Sequence, residues 1–197
     1  MRARGFTLLE TVMVIIIVGI IAAFVAPILL ASVNSYDETS RNVEVLTRMR
    51  YAMERMAREI RGMRPDPASS LNYDIVSGSM TASKLEFCKA DATRVTIDNA
   101  TLSSEVKLGY TSGFSSTCTA SAATTSTLTD AVTSFCISYC QKDGTTCTLT
   151  AGTCTASGSS VDRSNVAFVE LRMQLTGTGT SAYTSTTRVD LRTPGPQ

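Results

Sequence analysis

Two arginines, Arg2 and Arg4, a Gly5-Phe6 junction and one carboxylate, Glu10, stand within the first ten residues, and Glu10 opens a charge-free run to about Ala31. A charge near the centre of a membrane span costs on the order of 2.5–3.5 kcal/mol. Such a carboxylate is stabilised by a nearby cation that also lacks water, so Glu10 asks for a partner. The second set of reactive side chains is six cysteines, Cys88, Cys118, Cys136, Cys140, Cys147 and Cys154, all beyond the apolar run. An even number confined to an exported segment fits disulfides formed in an oxidising compartment. Zinc is the competing reading of the spacing Cys136-x3-Cys140-x6-Cys147-x6-Cys154, but no Cys-x2-Cys pair occurs to favour it. Which cysteine joins which is left open by the sequence.

Other chemistries are excluded or unsupported. The 197-residue chain has no histidine, which removes Ser-His-Asp triads, Cys-His dyads and His-ligated metals. No glycine-rich phosphate loop or paired-carboxylate motif stands out, so neither an enzyme nor a cofactor is expected. A net charge of +1 gives no field that would favour nucleic acid.

The elements that must hold these groups follow from periodicity. Val12 to Ala31 carries no charge, and about 20 residues at ~1.5 Å each cover a hydrocarbon core of ~30 Å. The run is longer than a secretory signal's apolar region and lacks a clear small-x-small exit. Arg2 and Arg4 would hold the amino end in the cytoplasm and place the bulk of the chain outside. Gly19 and Pro27 interrupt the span, and Pro27 predicts a kink or a loosened turn. Asn34 to Ser40 is polar all round and reads as a soft helix or a brief linker. Val43, Leu46, Met49, Met53, Met56, Ile60 and Met63 then recur at three- and four-residue steps, the stripe of an amphipathic helix. Gly62 and Pro65-Asp66-Pro67 end it; unbroken from Phe6, the helix would be about 85 Å long.

From Leu71 the period is two. Strands are expected over Tyr73–Val76, Lys84–Cys88, Arg94–Ile97 and Val106–Tyr110, joined by connections too short for parallel crossovers. Gly113 to Ser160 is dominated by Thr, Ser and Ala, and is expected to be a loop-rich lobe stapled by disulfides. Val169, Leu171, Met173 and Leu175 alternate with polar residues, as do Val189 and Leu191, which predicts a closing hairpin against the Met-rich stripe. The fold class expected is α+β: a long N-terminal helix, half membrane-spanning and half amphipathic, packed on an antiparallel β-sheet head with a disulfide-stapled lobe.

The segment Arg4-Gly5-Phe6-Thr7-Leu8-Leu9-Glu10, with its apolar continuation, resembles the processing site of type IV pilins and pseudopilins. The resemblance implies a prepilin peptidase that cuts between Gly5 and Phe6 and then methylates the Phe6 amine. It also implies that Glu10 is the acidic assembly residue, and that Pro27 is the family's helix-breaking proline. In that family the carboxylate of an incoming subunit pairs with the terminal amine of a neighbour already in the filament; pairing within one chain is the alternative. Arg50-Tyr51-Ala52-Met53-Glu54-Arg55-Met56-Ala57-Arg58-Glu59-Ile60-Arg61, with Lys84-Leu85-Glu86-Phe87-Cys88, is similar to minor pilins of the mannose-sensitive haemagglutinin system, J-type pseudopilins and W-type minor pilins. Many major pilins close a disulfide loop near the carboxyl end, whereas here the last cysteine is Cys154 and a hairpin follows.

The resulting expectations are a leader over 1–5, a transmembrane and filament-core helix over 6–33, an amphipathic helix over 34–64 and a β-rich head over 65–197. The expected function is a structural subunit, a minor pilin or pseudopilin, of a type IV pilus-like or type II secretion filament. Its partners would be the prepilin peptidase, other pilins through the N-terminal helix, and an inner-membrane assembly platform. A single pass of the inner membrane would leave the head in the periplasm until assembly. The alternative is a pilus-borne adhesin or DNA-uptake receptor that uses the Ser/Thr-rich head.

Overall fold

A computed structural model describes residues 7–67, 69–76, 78–91, 93–99, 104–112, 124–141, 143, 146–150, 152–163, 165–177 and 182–191. The fold is α+β, as expected. One helix, α1 (Leu8–Arg61), precedes strands β1 (Pro65–Asp66), β2 (Ser69–Tyr73), β3 (Lys84–Cys88), β4 (Arg94–Asp98), β5 (Val106–Thr111), β6 (Thr124–Thr129), β7 (Val132–Cys140), β8 (Phe168–Thr176) and β9 (Ala182–Asp190). The chain divides into two compact units between Val43 and Glu44.

In the first unit, aliphatic and small residues sustain the helix, and no break occurs at the polar stretch from Asn34 to Ser40. The sequence left that stretch between soft helix and linker. The hydroxyls of Ser32, just before it, and Thr39, within it, are accommodated by the helix: Thr39 Oγ1 donates to the Ser35 carbonyl at 2.7 Å, as Ser32 Oγ does to Ile28 at 2.8 Å. Bonded back onto the preceding turn, these side chains cease to compete for the backbone. Pro27 lies inside α1 and brings no N–H to the ladder.

The second unit holds the core. Met49, Ala52, Met53, Met56, Ala57 and Ile60 of α1 are buried in one cluster with Leu85, Phe87, Val95 and Ile97 of the first large sheet and Val169, Leu171 and Met173 of the second. The predicted stripe therefore packs as read, except at its start: Val43 is exposed and Leu46 only partly buried. The helix closes with tightened bonds, Gly62 N–H to Glu59 O at 3.0 Å and Met63 N–H to Ile60 O at 3.1 Å. A Cβ on Gly62 would stand 3.1 Å from Lys89 Cε, so glycine lets the lysine pass close to the helix end. Lys89 Nζ there reaches Glu59 Oε2 at 3.1 Å. Glu59, with only 6% of its side chain exposed, also accepts from Tyr110 Oη at 3.0 Å and pairs with Arg55 at 3.2 Å. Desolvation raises the Tyr110 hydroxyl's pKa, keeping it a proton donor to that carboxylate.

Met56 is wholly buried at the centre of this packing. Met56→Ala is expected to destabilise the protein by about 2–5 kcal/mol. Urea unfolding of the full chain in detergent checks this, and an unchanged midpoint at equal slope would contradict the core assignment.

The strands form three antiparallel sheets, β1-β2, β3-β4-β5-β6 and β7-β8-β9. β3 to β5 lie within a residue of the expected positions, in a meander with Leu85 opposite Ile97 and Ile97 opposite Leu108. The strand expected over Tyr73–Val76 is shifted: β2 ends at Tyr73, and beyond it Ile75 makes a single bridge to Phe87. The closing hairpin also forms, with Val169 opposite Val189 and Leu175 opposite Tyr183.

The stretch 113–160 is stapled by disulfides as expected, and it also holds two strands, β6 and the nine-residue β7. In β7, Phe135, Ile137 and Tyr139 belong to the core, while Cys136, Ser138 and Cys140 are buried on the opposite face. That second face is covered by the chain that follows, through Cys136–Cys154 (Cα–Cα 5.7 Å) and Cys140–Cys147 (Cα–Cα 4.1 Å). Thr148 N–H donates to the Tyr139 carbonyl at 3.0 Å and Leu149 N–H to Ser138 Oγ at 3.2 Å. The Ser/Thr-rich composition hid a strand whose polar face is buried by cross-linked chain. Cys88 is also disulfide-bonded, and Cys118 lies outside the described residues.

Candidate functional site

The residues with chemistry to explain converge on the start of α1. Gly5 and Phe6, the expected cleavage and methylation positions, lie outside the described residues. Thr7 caps the helix: Glu10 N–H meets Thr7 Oγ1 at 3.4 Å and the Thr7 carbonyl at 3.1 Å, and Thr11 N–H meets that carbonyl at 3.2 Å. Glu10 is thus the third helical residue, where a carboxylate faces the positive end of the helix dipole.

Thr7-x-x-Glu10 is the spacing of a capping box, in which the hydroxyl satisfies the amide of the third helical residue. The spacing marks this role in the sequence itself, beside the membrane cost of the acid. Capping gives Glu10 a local stabilisation of about 0.5–1 kcal/mol. That is smaller than the cost of an unpaired charge within lipid, so the cap alone does not account for the acid.

The side chains that follow define the surroundings. Leu8 is 83% exposed, Phe24 is 71% exposed, and every residue in the span's most apolar window is unburied. Among the described residues α1 is the one helix long and apolar enough to cross a membrane. Fully burying one large aliphatic side chain is worth about 1.5–3 kcal/mol, so a run of this length left in water would be strongly unfavourable. Lipid or other apolar helices must cover it.

Among its described residues the β-rich unit holds nothing comparable. Among the described residues no three His, Cys, Asp or Glu side chains gather to hold a metal ion. Cys136, Cys140, Cys147 and Cys154 are paired as disulfides, which favours the disulfide reading over zinc. Tyr139, a fully buried phenol, donates to the carbonyls of Thr81 and Lys84 at 3.0 and 3.2 Å. Burial raises its pKa far above the usual value, so it anchors a loop and does not act as a base.

Comparison with known proteins agrees with the emphasis on the amino end. Residues 1–26 match the family described as the prokaryotic N-terminal methylation motif. A search among curated proteins found no match.

Proposed function

We infer that the chain belongs to the type IV pilin and pseudopilin family and serves as a membrane-anchored subunit that a prepilin peptidase processes and that assembles with other pilins. Our finer reading is a minor pilin or pseudopilin of a type IV pilus-like or type II secretion filament. The observation that carries the membrane-anchored subunit reading is one continuous arrangement: a methylation motif over residues 1–26, a capped helix start at Thr7, and a helical surface of exposed apolar side chains from Leu8 to Val33.

In this reading the peptidase cuts after Gly5 and methylates the new amine of Phe6. Glu10 stands four residues, about 6 Å of helix rise, from that amine. In lipid its carboxylate pairs with the Phe6 amine of a neighbouring subunit, fixing axial register while the apolar helix surfaces supply the packing. Before assembly the subunit spans the inner membrane once, with Arg2 and Arg4 in the cytoplasm and the disulfide-bonded unit in the periplasm. An assembly platform in that membrane would draw it into the filament. The low-abundance position is favoured by Cys154 being the last cysteine, with β8 and β9 following it.

Immunogold labelling of filaments sheared from the producing cells tests the reading, with antibody raised to the 65–197 segment. Sparse labels, concentrated at filament ends, are the expected result. Protein confined to membranes under conditions where filaments form would overturn it.

A further inference from the structure

We propose that the outer edge of β9, together with the arginine row of α1 beside it, is a docking site for an extended segment of another protein that carries carboxylates at alternate positions. The segment would add to the β7-β8-β9 sheet as a fourth strand. This concerns the β-rich unit alone and does not depend on the reading of the N-terminal helix.

The hydrogen-bonding edge comes first. β9 ends the order β7-β8-β9 and pairs with β8 over nine residues without a register shift. Just past its end, Leu191 N–H donates to the Ala167 carbonyl at 2.9 Å, in register with the ladder. Antiparallel pairing alternates, so odd-numbered residues of β9 bond to β8 and Thr184, Thr186 and Arg188 turn their amides and carbonyls outward. Sheet edges are normally protected by lysine, proline, bulges or covering chain. β9 has no lysine, proline or bulge. Its one cation, Arg188, is drawn back over the Phe168 ring at 3.5 Å and onto Asp190 at 3.0 Å.

The edges of the two larger sheets at β3, β6 and β7 differ. β3 is flanked by the Ile75–Phe87 bridge, and β7 by the Cys140–Cys147 bridge and a bond from Ile137 N–H to the Ala82 carbonyl. β6 is shorter, and its pairing with β5 contains a register shift.

The second observation says what kind of strand fits. Beside β9 lies an open groove of about 480 Å³, lined by Glu54, Ala57, Arg58 and Arg61 of α1 and by Thr187 of β9. No β8 residue lines it, so the groove belongs to the rim of the sheet. Arg58 and Arg61 share a helix face with Glu54 and Arg50, and all four side chains are exposed. None of the three arginines has an ion-pair partner among the described residues, unlike Arg48 and Arg55, which hold Glu44 and Glu59. Three arginines and one glutamate leave this face with a surplus of two positive charges. In a strand added to β9, every second side chain points to the groove side, toward this row. Carboxylates there would meet Arg58 and Arg61 while the backbone satisfies β9, which combines main-chain affinity with side-chain specificity.

The test uses the full chain in detergent and a fluorescent nine-residue peptide alternating Glu and Val, matched to the length of β9. Fluorescence anisotropy should show saturable binding, and a peptide alternating Lys and Val should not bind. Arg58→Glu combined with Arg61→Glu should weaken binding at least about tenfold. Thr186→Pro removes an outward amide without touching the β8 ladder, and should do the same with an unchanged circular dichroism spectrum. N-methylation of the peptide's alternate amides on the β9-facing edge makes the same cut without altering the protein, and should abolish binding. Equal binding of the Lys peptide, or loss with the arginine variant but none with Thr186→Pro or the N-methylated peptide, would overturn strand addition.

Discussion

Glu10→Ala is expected to leave the leader cut and the chain in the membrane, while incorporation into filaments falls by on the order of a hundredfold. The size follows from the position. An unpaired charge within lipid costs roughly 2.5–3.5 kcal/mol, and an incoming helix that brings a carboxylate to a free terminal amine relieves that cost on both sides. A difference of about 2.8 kcal/mol corresponds to two orders of magnitude in an equilibrium. The cap contributes a separate and smaller effect, because Glu10 is also the third residue of the helix that Thr7 begins. Glu10→Gln separates the two. Glutamine keeps the capping geometry and removes the charge, so it should fail in assembly nearly as completely as alanine. Filament yield from sheared cells, quantified by immunoblot against total processed subunit, gives the answer. Normal incorporation of Glu10→Gln would reduce Glu10 to a capping residue.

Gly5→Val should produce the opposite pattern, a full-length precursor held in the membrane with no mature form and hence no filament incorporation. Glycine lets a backbone approach a partner closely, and a branched side chain at the scissile junction occupies the space a peptidase needs. The mature fraction should fall by more than about tenfold, judged by gel mobility and mass of the membrane-extracted chain. Appearance of normal-length mature protein from Gly5→Val would remove the cleavage assignment. The two variants stop at different stages, so together they order processing before assembly.

Much of this architecture was readable from periodicity. The stripe from Met49 to Ile60 and the alternation from Val169 to Leu175 each bury one face of an element, and each leaves a plain mark in the sequence. β7 left a weaker mark, because its second face, Cys136, Ser138 and Cys140, is buried only under the chain that the two disulfides hold against it. Disulfide partners depend on how the loops fold back, which no local pattern encodes. The helix through Asn34 to Ser40 was ambiguous for a different reason: hydroxyl residues disfavour helices on average, yet Ser32 and Thr39 bond back onto their own turns. At the candidate site, the charge of Glu10 and the Gly5-Phe6 junction are plain in the residues, while the cap from Thr7 is marked only by its spacing to Glu10. No local pattern around Arg58 and Arg61 places them beside β9, the last strand in the order of its sheet.

The proposed maturation removes the first five residues and adds a methyl group to the Phe6 amine. Intact mass and amino-terminal fragmentation of the chain extracted from its native membrane test it most directly. The expected result is a molecule that begins at N-methylated Phe6 and retains its apolar helix. A chain that still carries Met1 to Gly5, or one cut beyond the apolar run near Asn34, would contradict it.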